Sequence, residues 1–287
     1  MQYVVPLFVV SYGRSGSTAL MRALGVSDHI GVPPAFPHET RMAQYIVAGQ
    51  MLGLAGDAPA ALEWERVTYV PHQPFDKVAG QWFEERRSGF FARPHLLEDY
   101  AMLFVNAGGS PPRFLAEKAM GLGLVRPALE ADPRRRAVLL LRDPRDIFIS
   151  AKAFNRRRGF LSFGESGEPG GDEAMLRAII AFGLGALATA QARPGQVLIL
   201  RYEDMIRAPA SAFAALLSWL GIEPAPGVAE AMAERIALVD AAALDHMTSA
   251  DASDSVDRWR GVIPGSRFAR LFEAHGEALE TLGYERA

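Results

Sequence analysis

No cysteine occurs among the 287 residues, which excludes disulfides, thiolate nucleophiles and cysteine-ligated zinc. A strong charge of either sign is missing as well: 30 Lys and Arg against 33 Asp and Glu leave a formal net charge of -3. Nucleic acid and anionic membranes are therefore poor candidates for the main partner, and any basic site must be local. The opening stretch MQYVVPLFVV has no basic region ahead of its apolar run, and that run is far shorter than the roughly 20 residues of a membrane span. What is present is an apolar fraction of 49%, ample for a sizeable core in one large or two small domains. A cytoplasmic globular enzyme is the expectation.

Three apolar runs of strand character stand out, Leu7 to Val10, Ala137 to Leu141 and Val197 to Leu200, with a weaker fourth at Arg113 to Ala119. Each precedes a helical pattern, and that alternation predicts an α/β fold: a three-layer arrangement with a mostly parallel sheet between helices. Ligands in such folds sit outside the carboxyl ends of the strands, where Arg14, Lys118 and Arg142 all fall. Residues from about 39 to 106 read as a helical insertion framing an acceptor cleft, with Trp64, Trp82, Phe90 and Phe91 as lining or as core. The Gly- and charge-rich stretch 156–172 reads as a mobile loop. With no repeat and no linker, the chain reads as a single domain over 1–287.

The first motif is FVVSYGRSGSTAL, Phe8 to Leu20. A β-type run, a glycine-rich turn and a helix start aim backbone N–H groups at one spot, which suits an anion. Gly13 and Gly16 allow backbone geometry closed to other residues. Ser15, Ser17 and Thr18 add hydroxyls, and Arg14 adds full charge. The Gly-Lys-Ser/Thr ending of a nucleotide triphosphatase loop is absent here. The plain alternative is an ordinary βα turn with a serine cap.

The second motif is AVLLLRDPRDIFIS, Ala137 to Ser150. Asp143 fits a helix N-cap, Pro144 the first helical position and Asp146 the acidic third position of a capping box. Asp143 could be mistaken for a magnesium ligand, but capping already accounts for it. Arg142 ends the strand, and Ser150 lies two helical turns beyond Asp143, so guanidinium and hydroxyl can grip a second phosphate. The alternative is a surface serine and an ordinary salt bridge.

Together, YGRSGSTAL and LLLRDPRDIFIS resemble the 5′-phosphosulfate loop and the 3′-phosphate motif of sulfotransferases that use 3′-phosphoadenosine-5′-phosphosulfate, in the form found in carbohydrate-type and bacterial members. VLILRYEDMIRAPASAFAALLSWLGIE and SVDRWRGVIPG are similar to that family's later strand-helix unit and nucleotide-closing segment. The resemblance implies a P-loop-like fold and transfer of a sulfuryl group to a hydroxyl or amine, with adenosine 3′,5′-bisphosphate as the nucleotide product and no metal. By position, Arg14, Ser15, Gly16, Ser17 and Thr18 would contact the 5′-phosphosulfate, and Arg142 with Ser150 the 3′-phosphate. Tyr202 and the Arg258-Trp259-Arg260 segment would border the nucleotide, either Arg258 or Arg260 reaching the phosphate. Glu39 stands where related enzymes place a catalytic glutamate, with His38 as its competitor for general base. Lys118 resembles the lysine of an EKT stretch and would neutralise a sulfuryl oxygen.

The acceptor implied is a small molecule, a carbohydrate or a glycolipid, not nucleic acid. Two other readings remain open: a P-loop kinase of small molecules, and a non-catalytic nucleotide-binding protein on the same fold. The physics of a loose in-line transfer, in which positioning and positive charge supply most of the catalysis, agrees with a metal-free arginine site.

Overall fold

The computed structural model describes residues 3–34, 38, 39, 42, 46, 95–104, 110–119, 121–237, 248 and 253–286. Most of the expected helical insertion, with Trp64, Trp82, Phe90 and Phe91, lies outside the described residues.

The apolar runs form a five-stranded sheet, and the α/β expectation holds. The strands are β1 (Val5–Ser11), β2 (Ile30–Gly31), β3 (Phe114–Ala119), β4 (Arg136–Leu141) and β5 (Val197–Arg201), in the order β2-β3-β1-β4-β5. β1 and β2 each pair in parallel with β3, in a register that sets Val9 against Lys118 and Val10 against Ala119. Lys118 therefore sits at the carboxyl end of β3, beside the end of β1 from which the glycine-rich loop departs. The two-residue β2 is too short to give a sequence signal. Strands β1, β3 and β4 are buried along nearly their whole length, which is why they read as continuous apolar runs rather than alternating ones.

The chain divides into two compact units, one comprising the residues up to Val10 and Leu20–Val138, the other Ser11–Ala19 and Leu139–Ala287. In the first, α2 (Leu96–Ala101) and the 3-10 turn Met102–Phe104 follow α1 (Ser17–Leu24, which begins in the second unit). Val4, Ile46, Leu97, Ala101 and Leu115 form a core cluster there. α3 (Leu122–Ala131) then leads into β4.

In the second unit α4 (Pro144–Arg158) and α5 (Gly171–Ala192) pack together, and Ile147, Phe148, Met175, Ile179, Trp259 and Phe272 are central to their shared core. By length and composition α5 alone among the described helices could cross a membrane. In this fold its apolar face, Met175, Leu176, Ile179, Ile180 and Ala186, is buried at helical spacing. β5 continues into α6 (Tyr202–Arg207), α7 (Pro209–Trp219) and α8 (Val228–Ala237). The 3-10 turn Ser253–Ser255 precedes α9 (Trp259–Val262), α10 (Ala269–Glu273) and α11 (Gly276–Thr281).

The segment expected as a loop from residue 156 begins later, because α4 runs through Arg158 and ends at Gly159. The residues beyond it are tied down. The Asn155 side-chain amide donates to Ser162 O at 2.9 Å and to Glu165 at 2.7 Å, Lys152 reaches Glu165 at 2.7 Å, and the Tyr12 hydroxyl donates to Phe163 O at 3.0 Å.

Candidate functional site

The glycine-rich loop turns sharply between β1 and α1. Arg14, with φ 71°, and Gly16, with φ 90°, both occupy the left-handed region, strained for an arginine and free for a glycine. Space makes glycine necessary as well. A Cβ on Gly13 would fall 2.2 Å from the Phe163 ring, and one on Gly16 would fall 2.5 Å from the Tyr202 ring. The loop is thus clamped by two aromatic side chains far away in sequence, and its geometry is fixed in advance.

Arginines hold it from the other side. Arg142, 6% exposed, donates through Nη1 to Arg14 O at 2.8 Å and through Nη2 to Ser255 O, and its guanidinium lies 4.4 Å from the Tyr202 ring centroid. The Tyr202 hydroxyl meets Ser255 Oγ at 2.7 Å. Strand end, loop, β5-α6 junction and C-terminal segment thereby converge on one guanidinium. The strained Arg14 peptide is secured by the arginine across from it.

Arg14 itself extends along α4. Its Nε donates to Ser150 Oγ at 3.5 Å, and its guanidinium lies 4.2 Å from the Phe154 ring centroid. Ser150 Oγ also meets Thr248 Oγ1 at 3.1 Å, while Arg258 Nη1 donates to Thr248 O at 3.0 Å. Burial, and then the neighbouring guanidinium of Arg142, push the Arg14 pKa down to about 10, still fully charged at neutral pH. A half-buried collection of like charges of this kind is suited to an anion.

The expected pairing of Arg142 with Ser150 is not what these contacts form: the guanidinium on Ser150 is that of Arg14, and Arg142 is engaged with main-chain carbonyls. Of the two C-terminal arginines, Arg258 reaches toward Ser150 through Thr248. Arg260 is exposed and paired with Asp257 and Glu285. The Trp259 ring is buried in the core, its centroid 3.5 Å from the Arg145 guanidinium.

The start of α4 is partly as read from sequence. Asp143 caps the helix by accepting from Arg145 N at 2.9 Å, with Pro144 in the first turn. Its two carboxylate oxygens also take the Arg145 side chain, at 2.9 and 2.7 Å. Asp146 does not close a capping box. The Asp143 N–H goes instead to Glu203 at 2.8 Å, and Asp146 accepts from Trp259 N at 2.9 Å. Sequence reasoning missed this tether because its partner lies 113 residues away.

In the first unit Glu39 and Lys118 form an ion pair at 3.1 Å, with the lysine side chain 9% and the glutamate 42% exposed. The neighbour Glu117 does not take Lys118, since successive strand side chains point to opposite faces; Glu117 accepts from the Tyr100 hydroxyl at 3.2 Å. His38, at φ 64°, has Nδ1 2.6 Å from Pro33 O. That contact takes the Nδ1 proton and leaves Nε2 as the acceptor.

The donor set suits a group with several anionic oxygens. Ser15 Oγ and Arg142 Nε are buried and have no hydrogen-bond partner among the described residues. Ser17 and Thr18 open α1 beside the Gly16 turn. No group of three His, Asp or Glu placed to bind a metal occurs among the described residues.

Fold and loop together define an α/β protein with a candidate anion site in its glycine-rich loop. Residues 6–226 match the model of the sulfotransferase family, and the chain belongs to that family, whose chemistry is transfer of sulfuryl groups. No curated protein matches the sequence. Among solved structures, the sulfotransferase domain of the curacin biosynthetic pathway is similar at 15% identity and TM-score 0.59, all of each chain being covered. The sulfotransferase domain of the Synechococcus PCC 7002 olefin synthase gives 18% and 0.56, covering 100% of this chain and 98% of that one. Retinol dehydratase in a complex with retinol and PAP gives 17% and 0.53, covering 97% and 83%. These likenesses establish the fold.

Proposed function

We propose that the protein transfers a sulfuryl group from 3′-phosphoadenosine-5′-phosphosulfate to an acceptor hydroxyl or amine, without a metal. The observation that supports this reading is the Arg142 guanidinium holding the Arg14 carbonyl in the turn at Gly16, beside the buried and unpartnered Ser15 hydroxyl, in a chain of the sulfotransferase family. In this reading the loop from Gly13 to Thr18 cradles the 5′-phosphosulfate, and Arg14 stabilises charge that grows on the bridging oxygen as the S–O bond breaks. Arg142, Ser150 and Arg258 form the 3′-phosphate end, with Tyr202 fixing Arg142. Trp259 anchors the closing segment in the core, and Arg260 has no part in phosphate binding.

Glu39 is proposed as the general base that takes the acceptor proton, and Lys118 as the cation beside it. The assignment rests on the family resemblance and on the Glu39–Lys118 ion pair. His38, with one ring nitrogen committed to Pro33 O, is the weaker candidate. Retinol and androsterone in the retinol dehydratase complexes support a small-molecule acceptor. A carbohydrate or glycolipid fits the same chemistry, and the cytoplasm is the proposed place of action. Incubation with sulfur-labelled donor and a metabolite extract tests the reading: label should move to a discrete product when magnesium is chelated. Label that stays on donor and inorganic sulfate refutes it.

A further inference from the structure

The first turn of α6 holds Arg142 at two points. The Tyr202 ring centroid lies 4.4 Å from its guanidinium, and the next residue, Glu203, grips the peptide that carries it: Glu203 Oε1 accepts from Asp143 N at 2.8 Å. β4 ends at Leu141 and α4 begins at Pro144. The Asp143 N–H therefore stands past the strand ladder and ahead of the helical bonds, and a buried amide there must find a partner elsewhere. In a capping box the acidic third residue of the helix would accept it, but Asp146 is committed to Trp259 N. Glu203 fills that place from another element, 60 residues away along the chain.

The carboxylate is itself oriented from the far side. Glu203 is buried, and its second oxygen accepts from the Tyr284 hydroxyl at 3.4 Å. Arg201, the last residue of β5, donates to Leu282 O at 2.7 Å and lies 5.0 Å from the Tyr284 ring centroid. Those contacts tie Tyr284 to the β5-α6 junction, so Glu203 is held between that residue and the strand end.

What the peptide controls is the reach of the guanidinium. Arg142 extends from the strand end to Arg14 O in the Gly16 turn, at 2.8 Å, and to Ser255 O. Both bonds weaken steeply if the donor angle drifts. Tyr202 constrains the tip of the arginine, and Glu203 constrains its root. We propose that Glu203 is a positioning residue for Arg142: it fixes the Arg142-Asp143 peptide so that the guanidinium stays on the glycine-rich loop, and it acts on nucleotide binding through that arginine. The inference rests on the sulfotransferase reading, in which the loop and Arg142 hold the donor.

The test is a double-mutant cycle on the affinity for adenosine 3′,5′-bisphosphate, read by NMR titration with magnesium chelated. Glu203→Leu removes the acceptor and should weaken binding about tenfold, within the range for residues that share one network. Glu203→Asp keeps the charge but is one methylene short of Asp143 N, and should lose about threefold; it serves if the leucine variant does not fold. Glu203→Gln keeps an oxygen for Asp143 N and should stay within about twofold of wild type. In an Arg142→Ala background the leucine and aspartate changes should each alter affinity by less than about twofold, because the residue they act through is gone. A role confined to general stability would give the same loss in both backgrounds. Equal losses in the two backgrounds, or a glutamine variant as weak as the leucine one, overturn the proposal and leave the donor reading standing. Wild type that fails to bind the bisphosphate overturns the donor reading, and this inference with it.

Discussion

Replacing Asp146 by asparagine should make the protein more stable at neutral pH, although it removes a charged residue from a motif-bearing helix. Asp146 is 1% exposed, and one carboxylate oxygen accepts from Trp259 N at 2.9 Å while the other is buried with no hydrogen-bond partner among the described residues. Burial is the largest influence on its ionisation. Arg142 acts against burial, Asp143 adds to it, and the pKa is pushed up to about 6 from 3.8. The folded state thus binds a proton between about pH 4 and 6 that the unfolded chain has released, so stability falls as pH rises through that window. The difference of roughly 2 in pKa, at 1.36 kcal/mol each, sets an upper bound of about 3 kcal/mol.

The substituted amide keeps an oxygen for Trp259 N and abolishes the titration. Urea unfolding at pH 4.5, 5.5, 6.5 and 7.5 should show Asp146→Asn more stable than wild type at pH 7.5, with the gap closing toward pH 4.5. Asp146→Ala should lie roughly 1–3 kcal/mol below Asp146→Asn at every pH, because Trp259 N is left buried without an acceptor. A gap between wild type and Asp146→Asn that is constant with pH would refute the reasoning.

Arg142→Ala should weaken bisphosphate binding by about 2–5 kcal/mol, with a fall in Tm from the loss of its bonds to Arg14 O and Ser255 O; Arg14→Ala should lower kcat about a hundredfold with a smaller loss of donor affinity. Calorimetry and single-turnover kinetics separate the two effects, and the reverse pattern would exchange the assignments. Glu39→Gln should leave bisphosphate affinity in place and lower turnover by about a hundredfold to ten-thousandfold, whereas His38→Asn should be milder. Near-normal turnover in Glu39→Gln, together with its loss in His38→Asn, would move the base to His38.

What could be read from the sequence was local. The apolar runs became β1, β3, β4 and β5, and the Asp143-Pro144 pair became a helix cap, because each depends on residues within a turn of one another. The glycine-rich loop was legible as a tight turn between a strand and a helix for the same reason. What could not be read is how that loop is clamped. Phe163 over Gly13, Tyr202 over Gly16 and Arg142 on Arg14 O are contacts across more than a hundred residues, and nothing in the local pattern encodes them. Asp146 shows the cost of reasoning locally: the capping-box spacing was correct, yet a distant backbone N–H claimed its carboxylate. Arg258 and Arg260 were indistinguishable by spacing, and the acids at 257 and 285 are what draw Arg260 away.

The central claim, that the clamped loop and the Arg142 strand end bind a 3′-phosphorylated adenine nucleotide without a metal, is tested most directly by thermal stability with magnesium chelated. Adenosine 3′,5′-bisphosphate at a hundredfold excess over its Kd should stabilise the protein by roughly 2.7 kcal/mol, and ATP with magnesium should do much less. Stabilisation by ATP with magnesium, and none by the bisphosphate, would contradict the account.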